Sequence, residues 1–348
     1  MINWKKYKSL FLLLLLIVVG IIFLIIFLRK EQFYNKHNKI RLFHWNIHYN
    51  CFTSNDGNCD YKNGKNVKQR IMDKYFENID FGNLIQFEEN QLNKTDKNYN
   101  KYRLHNPKIH NINCNSNCDY LSLIHSCGDY NVPLNLVYNN KKWTLLNHKS
   151  GCIVPKDKDS RPYIIGEFKS KKIKNKENEN EKFKVFVICV YMQHPWDLDP
   201  ASTFTYINKS LQEMKFDTNK DNVIFMSDTN LLNYQDNALV LPKNIRADNI
   251  STQQFYLNQY IMEQISKKPL RHQYKDPTDS KTCCNDDVGF KYNYDRIITN
   301  FGYISNSNIV CNYELEKRNE NENENNKIPV VKYTNEMHRP IIMNVFIE

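Results

Sequence analysis

Short, nearly continuous apolar runs recur along the chain, separated by polar stretches. Arg41–Ile47, Leu84–Phe87, Tyr163–Phe168, Phe183–Tyr191, Val223–Met226, Tyr294–Thr299 and Pro340–Ile347 have the pattern of strands buried on both faces. Between them, apolar positions return at helical spacing. Val67, Ile71, Tyr75 and Phe76 predict a helix over Lys65–Asn78, and Thr203–Met214 and Thr252–Ser266 read the same way. Strands alternating with helices and feeding one core predict an α/β sandwich over residues 40–348. Two charged low-complexity stretches, Ser170–Glu181 and Glu314–Lys327, are too polar to pack a core and read as solvated loop insertions.

The N-terminus follows a different pattern. After a tail of residues 1–9, Leu10–Leu28 is nineteen residues without a charge. At ~1.5 Å per residue it nearly spans a hydrocarbon core of about 30 Å, which predicts a transmembrane helix followed by a linker over residues 29–39. It is apolar on every face, unlike a core helix, and Leu28-Arg29-Lys30 offers no small-residue cleavage site. The expectation is therefore an uncleaved single-pass anchor. Flanking charge is nearly balanced, with Lys5, Lys6 and Lys8 before the run and Arg29, Lys30, Lys36 and Lys39 after it. The chain has 10 cysteines, and the close pairs Cys51/Cys59 and Cys114/Cys118 are candidate disulfides. Sequons occur at Asn93, Asn208 and Asn249, as an Asn-rich chain produces by chance; the cysteines, compatible with an oxidising compartment, lean toward a catalytic domain on the non-cytosolic side.

Composition adds one constraint. The net charge is +10, which favours anionic partners such as nucleic acid or lipid head groups, although Lys-rich codon usage produces the same balance.

Candidate chemistry sits where polar residues end apolar strands. Asn46, in His44-Trp45-Asn46-Ile47-His48, can ligate a hard cation or bond a neighbouring carboxylate. Glu88, after Leu84-Ile85-Gln86-Phe87, is costly to bury unpaired, and a magnesium ion bound by oxygen ligands removes that cost. Tyr191 and His194 follow a long buried strand and can donate to a phosphate oxygen. Four apolar residues run into Ser227-Asp228-Thr229-Asn230; Asp228 can align or deprotonate a water and Asn230 can fix a phosphate oxygen, though Asp-x-Asn is also a common turn. Asp295 lies in an apolar strand and His338 precedes the last one, and a His held by a buried Asp has a fixed tautomer and raised basicity.

Taken in order, these segments resemble the endonuclease/exonuclease/phosphatase superfamily, with its DNase I-like four-layer α/β/β/α sandwich. The resemblance rests on Trp45-Asn46, Phe87-Glu88, Tyr191 with His194, Ser227-Asp228-Thr229-Asn230, Asp295-Arg296-Ile297 and Met337-His338-Arg339-Pro340, with Arg161-Pro162 as a further match. It implies Mg²⁺, with Mn²⁺ as a substitute, held by Glu88 and Asn46. It also implies a water oriented by Asp228, a phosphate held by Asn230, Arg161 and Tyr191 or His194, and His338 oriented by Asp295. Three departures matter. Phe87 stands where the family has Gln, which leaves Glu89 as an alternative ligand. His48 and Met337 stand where relatives carry Asp, which favours one metal over two.

The resulting expectation is a membrane-anchored, metal-dependent phosphodiesterase that hydrolyses its ester by in-line attack of water. Basic charge favours nucleic acid as substrate. A membrane anchor would instead fit a phospholipid substrate for a sphingomyelinase- or phosphoinositide-phosphatase-like enzyme. A catalytically inactive binding protein of the same fold is the third reading.

Overall fold

The computed structural model describes residues 16–23, 39–47, 61–62, 65–66, 76, 78–87, 120–128, 132–155, 159–174, 181–194, 197–198, 200–231, 250–273, 283–286, 289–292, 294–309, 338 and 340–347. The chain divides into two units, Met1–Lys39 and Ile40–Glu348.

In the first unit, residues 16–23 are helical. Eight residues rise only about 12 Å. Among the described residues no helix is long and apolar enough to cross a membrane, which overturns the single-pass expectation and the orientation built on it. The rest of Leu10–Leu28 lies outside the described residues.

The second unit carries sixteen strands and two helices among its described residues. The strands are β1 (Lys39–Asn46), β2 (Tyr61–Lys62), β3 (Lys65–Asn66), β4 (Phe81–Ile85), β5 (Tyr120–Cys127), β6 (Val132–Asn139), β7 (Trp143–Ile153), β8 (Arg161–Lys174), β9 (Lys182–Tyr191), β10 (Val223–Asp228), β11 (His272–Gln273), β12 (Cys283–Asp286), β13 (Gly289–Tyr292), β14 (Asp295–Thr299), β15 (Tyr303–Ile309) and β16 (Ile341–Phe346). The helices are α1 (Pro200–Glu213) and α2 (Ile250–Ile265). All seven expected strands and two of the three expected helices appear, shifted by a few residues. The helix expected over Lys65–Asn78 does not begin as one, because β3 occupies Lys65–Asn66; residues 67–75 lie outside the described set.

Two six-stranded sheets form the frame, in the orders β15-β16-β1-β4-β6-β5 and β11-β14-β10-β9-β8-β7. Within them β1 runs parallel to β4, and β9 parallel to β10. A parallel pair needs a crossover, and α1 supplies it between β9 and β10.

One apolar core lies between the sheets, with Leu42, Ile85, Leu134 and Met343 meeting Ile164, Val187, Met226 and Ile297. A second lies between the other sheet face and the helices. Phe204, Ile207 and Leu211 of α1, at positions i, i+3 and i+7, and Leu257, Ile261 and Ile265 of α2 pack on Ile188, Val190 and Phe225. The outer face of the β1 sheet is buried as well, through Phe43, Trp45, Leu84 and Val137. Strands buried on both faces must read as continuous apolar runs, which is why these were legible in sequence.

The loop expected at Ser170–Glu181 starts too early. β8 continues to Lys174, and Ser170 and Ile173 are buried. Residues 175–180 and the second expected loop, 314–327, lie outside the described set. The candidate pairs Cys51/Cys59 and Cys114/Cys118 do so too. A disulfide that spacing did not reveal joins Cys127 of β5 to Cys152 of β7, with Cα atoms 5.8 Å apart. These are the edge strands of the two sheets, so the bond closes one edge of the sandwich.

Candidate active site

Strand polarity brings the polar residues together. β1, β9 and β10 end in Asn46, Tyr191 and Asp228, while antiparallel β14 begins with Asp295 directly opposite Asp228. His338 stands just before β16, which lies beside β1. Residues far apart in sequence therefore share one end of the sandwich.

Asn46 resolves its two readings toward a carboxylate partner: its Nδ2 donates to Asp228 Oδ2 at 2.9 Å. The other carboxylate oxygen, Oδ1, accepts from the backbone N–H of Asn230 at 3.1 Å. His338 Nδ1 lies 2.8 Å from Asp295 Oδ2. Its Nε2 faces the opposite way, 3.7 Å from Asp228 Oδ2 and 3.5 Å from Asn46 Nδ2. The Trp45 indole donates to the His338 carbonyl at 3.0 Å and anchors the backbone that carries the ring. Asp295 Oδ1 is taken as well, by His44 Nε2 at 2.8 Å.

The fold that carries these strands recurs in solved structures. An endonuclease/exonuclease/phosphatase from Bacteroides vulgatus matches at 11% identity and a TM-score of 0.51, over 89% of this chain and 99% of its own. A functionally unknown conserved protein from Enterococcus faecalis matches at 11% identity and a TM-score of 0.52, over 89% of this chain and 100% of its own. This chain has the endonuclease/exonuclease/phosphatase fold. No family model and no curated protein matches its sequence. At such low identity the fold is what is shared, so the roles of individual side chains rest on their own geometry.

Within the endonuclease/exonuclease/phosphatase fold, the charges of this site are arranged as follows. Asp228, Asp295 and His338 place one ligand atom each within 4.8 Å of one another. Both oxygens of Asp295 are occupied by imidazoles, so this group is a hydrogen-bonded centre before it is a metal cage. Burial alone would raise the pKa of Asp295; the His338 imidazole, by charge and by hydrogen bond, with His44 as second donor, holds it well below the usual carboxylate range. Burial pushes the Tyr191 phenol up to about 12, so it stays a hydrogen-bond donor. The Arg161 guanidinium lies over its ring, 4.2 Å from the centroid, and a side-chain hydrogen bond links the phenol to Asn46. His194, three residues beyond Tyr191, packs edge-on against Tyr294 at 6.3 Å, and burial lowers its pKa.

Asn230 has a φ of 48°, a left-handed conformation that Asn tolerates, and its Nδ2 donates to the Met192 carbonyl at 2.8 Å. It thus braces the strand ends as well as lying beside Asp228. Glu88, the principal expected metal ligand, and its alternative Glu89 lie outside the described residues.

Sequence reasoning missed three participants. His44 is one, although its placement two residues before Asn46 puts both on one strand face, a signal that period-2 reading can find. Arg296 is another: its Nε and Nη1 donate to Thr229 Oγ1 at 3.2 Å and Asn258 Oδ1 at 2.9 Å, tying the Asp228 turn to α2. Gln86 is the third. It directly follows β4 at a φ of 57°, and its buried Oε1 meets no partner among the described residues.

Proposed function

We propose that this chain is a metal-dependent phosphoric ester hydrolase that cleaves a phosphodiester by in-line attack of water, with nucleic acid as the substrate class. The observation that carries this reading is the buried constellation of Asn46, Asp228, Asp295 and His338, in which each polar group is oriented by another. Asp228 is fixed by Asn46 and by the Asn230 backbone, so its carboxylate can align a water or take its proton without reorganising. His338, with Nδ1 committed to Asp295, keeps Nε2 for a phosphate oxygen and for the charge that develops there. The His338 side chain is 7% exposed against 1% for Asp228 and 0% for Asp295, so the phosphate meets the imidazole first. Tyr191 remains a neutral donor beside the same carboxylate, and the Arg161 guanidinium on its ring supplies positive charge for an anionic ester.

The donor set fits a hard cation. Asn46 and Asp228 offer oxygens, and the buried Gln86 Oε1 at the neighbouring strand end is an oxygen with no described partner. With Glu88, these residues would hold Mg²⁺ or Mn²⁺, which would supply Lewis-acid polarisation of the phosphoryl oxygen. The excess of 48 basic over 38 acidic residues supports a polyanionic substrate.

The test uses the purified full chain with Mg²⁺ on plasmid DNA, sphingomyelin and phosphoinositides. Cleavage of DNA that stops with EDTA and in Asp228→Asn is the expected result. Cleavage of a lipid with DNA intact would keep the hydrolase and overturn the substrate class. Survival of every substrate in both Mg²⁺ and Mn²⁺ would leave a binding protein on this fold.

A further inference from the structure

Asp295 is held by two imidazoles, and the hydrolytic reading uses only one of them. His338 Nδ1 takes Oδ2 and His44 Nε2 takes Oδ1, each at 2.8 Å. A carboxylate only accepts, so His44 Nε2 carries the hydrogen. The other ring nitrogen, Nδ1, is buried and meets no partner among the described residues, which suits a lone pair better than an orphaned N–H. His44 is fully buried. It comes from β1 of one sheet, whereas Asp295 comes from β14 of the other.

We propose that His44 is a positioning residue of the hydrolytic centre: it grips the free oxygen of Asp295 and so keeps the opposite oxygen aimed at His338. The terminal torsion of an aspartate is broad and soft, so one partner leaves the carboxylate plane free to rock. A second partner on the other oxygen fixes that plane. His338 then holds one ring orientation, with Nε2 directed at the reacting phosphate. An inter-sheet strut with no bearing on catalysis would make the same bonds, but its loss would not change turnover in a folded protein. The kinetic arm of this proposal rests on the phosphoesterase reading; the spectroscopic arm rests on geometry alone.

The experiment labels the histidines of the full chain with nitrogen-15 and reads their tautomers by NMR. His44 is expected as the Nε2–H form and His338 as the Nδ1–H form, with both ring protons strongly downfield and both displaced in Asp295→Asn. In kinetics, His44→Phe is expected to lower kcat by about 10- to 100-fold, the scale on which outer partners of a functional imidazole act, with KM changed by less than about twofold. His44→Gln, whose amide reaches where Nε2 was, is expected to recover kcat to within about threefold of wild type. Should His44→Phe fail to fold, His44→Gln compared with the shorter His44→Asn carries the same contrast. The proposal is overturned if wild-type His44 is the Nδ1–H form. It is equally overturned if folded His44→Phe turns over at the wild-type rate, or if His44→Gln is as slow as His44→Phe. If wild type hydrolyses nothing, the phosphoesterase reading fails, and the tautomers alone decide whether His44 holds Asp295.

Discussion

Asp228 and Asp295 are register partners across β10 and β14, so the fold places two acids side by side in its interior. Buried like charges are tolerated only with donors, and the donors present are Asn46, the Asn230 backbone, His44 and His338. Each acid is thereby specialised. Asp295 has both oxygens on imidazoles and serves as an orienting group, while Asp228 faces His338 Nε2 across 3.7 Å. Asp228→Asn keeps the shape but turns one of the two accepting oxygens into a donor that faces Asn46 or the Asn230 N–H, so it should cost about 1–3 kcal/mol of stability as well as activity. We expect kcat of the folded variant to fall on the order of 10²–10⁴-fold, the usual worth of a positioned acid or base. His338→Ala should fall as far. Asp228→Asn turning over at the wild-type rate would show that the water is activated elsewhere.

At the scale of elements, legibility followed burial. β9 and β10 are covered on both faces over nearly their whole length, so their apolar runs stood out. β5 and β7 are edge strands with partly exposed faces, and Ser122, His125, Asn147 and Lys149 interrupt any apolar run. β6 is buried throughout, yet Pro133 and Asn135 break its apolar run; Asn135 Nδ2 donates to the Phe87 carbonyl at 2.7 Å. The site was legible wherever a polar residue ended an apolar strand, as at Asn46, Asp228 and Asp295. His44 was missed because it lies inside one, where only its period-2 relation to Asn46 marks it. Pairing of Cys127 with Cys152 was hidden for the same reason as its strands: sequence does not show which edges meet. That bond closes a 25-residue separation, for which the chain-entropy model gives about 3.5 kcal/mol. The double variant Cys127→Ser/Cys152→Ser should lose roughly that much in urea unfolding, and reduction of wild type by a dithiol should match it. Unchanged stability in both would mean that sheet packing alone holds this edge.

For the whole molecule, the groups with perturbed titration set how it responds to acid. Burial lowers His125 and His194 from their ordinary 6.5, so each contributes stability above that value that is lost as pH falls toward its folded pKa. Asp295 is lowered from 3.8, and its contribution disappears only below that pH. Asp80 is raised from 3.8 by burial, so its protonation acts in the opposite direction over the acid range. Urea midpoints should therefore drop between pH 7 and 5, and a His125→Gln/His194→Gln variant should show a flatter profile; identical slopes would remove the histidines as the cause. The cation offers an independent probe of the folded site, free of any assumption about substrate. A metal that binds only the folded chain stabilises it by RT ln(1 + [L]/Kd), or about 1.4 kcal/mol at ten times its dissociation constant. For a domain of about 300 residues that corresponds to a rise in Tm of about 2 °C. The rise should appear with Mg²⁺ and Mn²⁺ and should shrink in Asn46→Ala and Asp228→Asn, which remove oxygen ligands from the same strand ends. It should persist in His338→Ala, because the imidazole bonds Asp295 and is proposed to face the phosphate, not the metal. A Tm indifferent to both cations, or a shift lost with His338 but kept without Asn46, would place the metal elsewhere and separate it from the water that Asp228 is proposed to align.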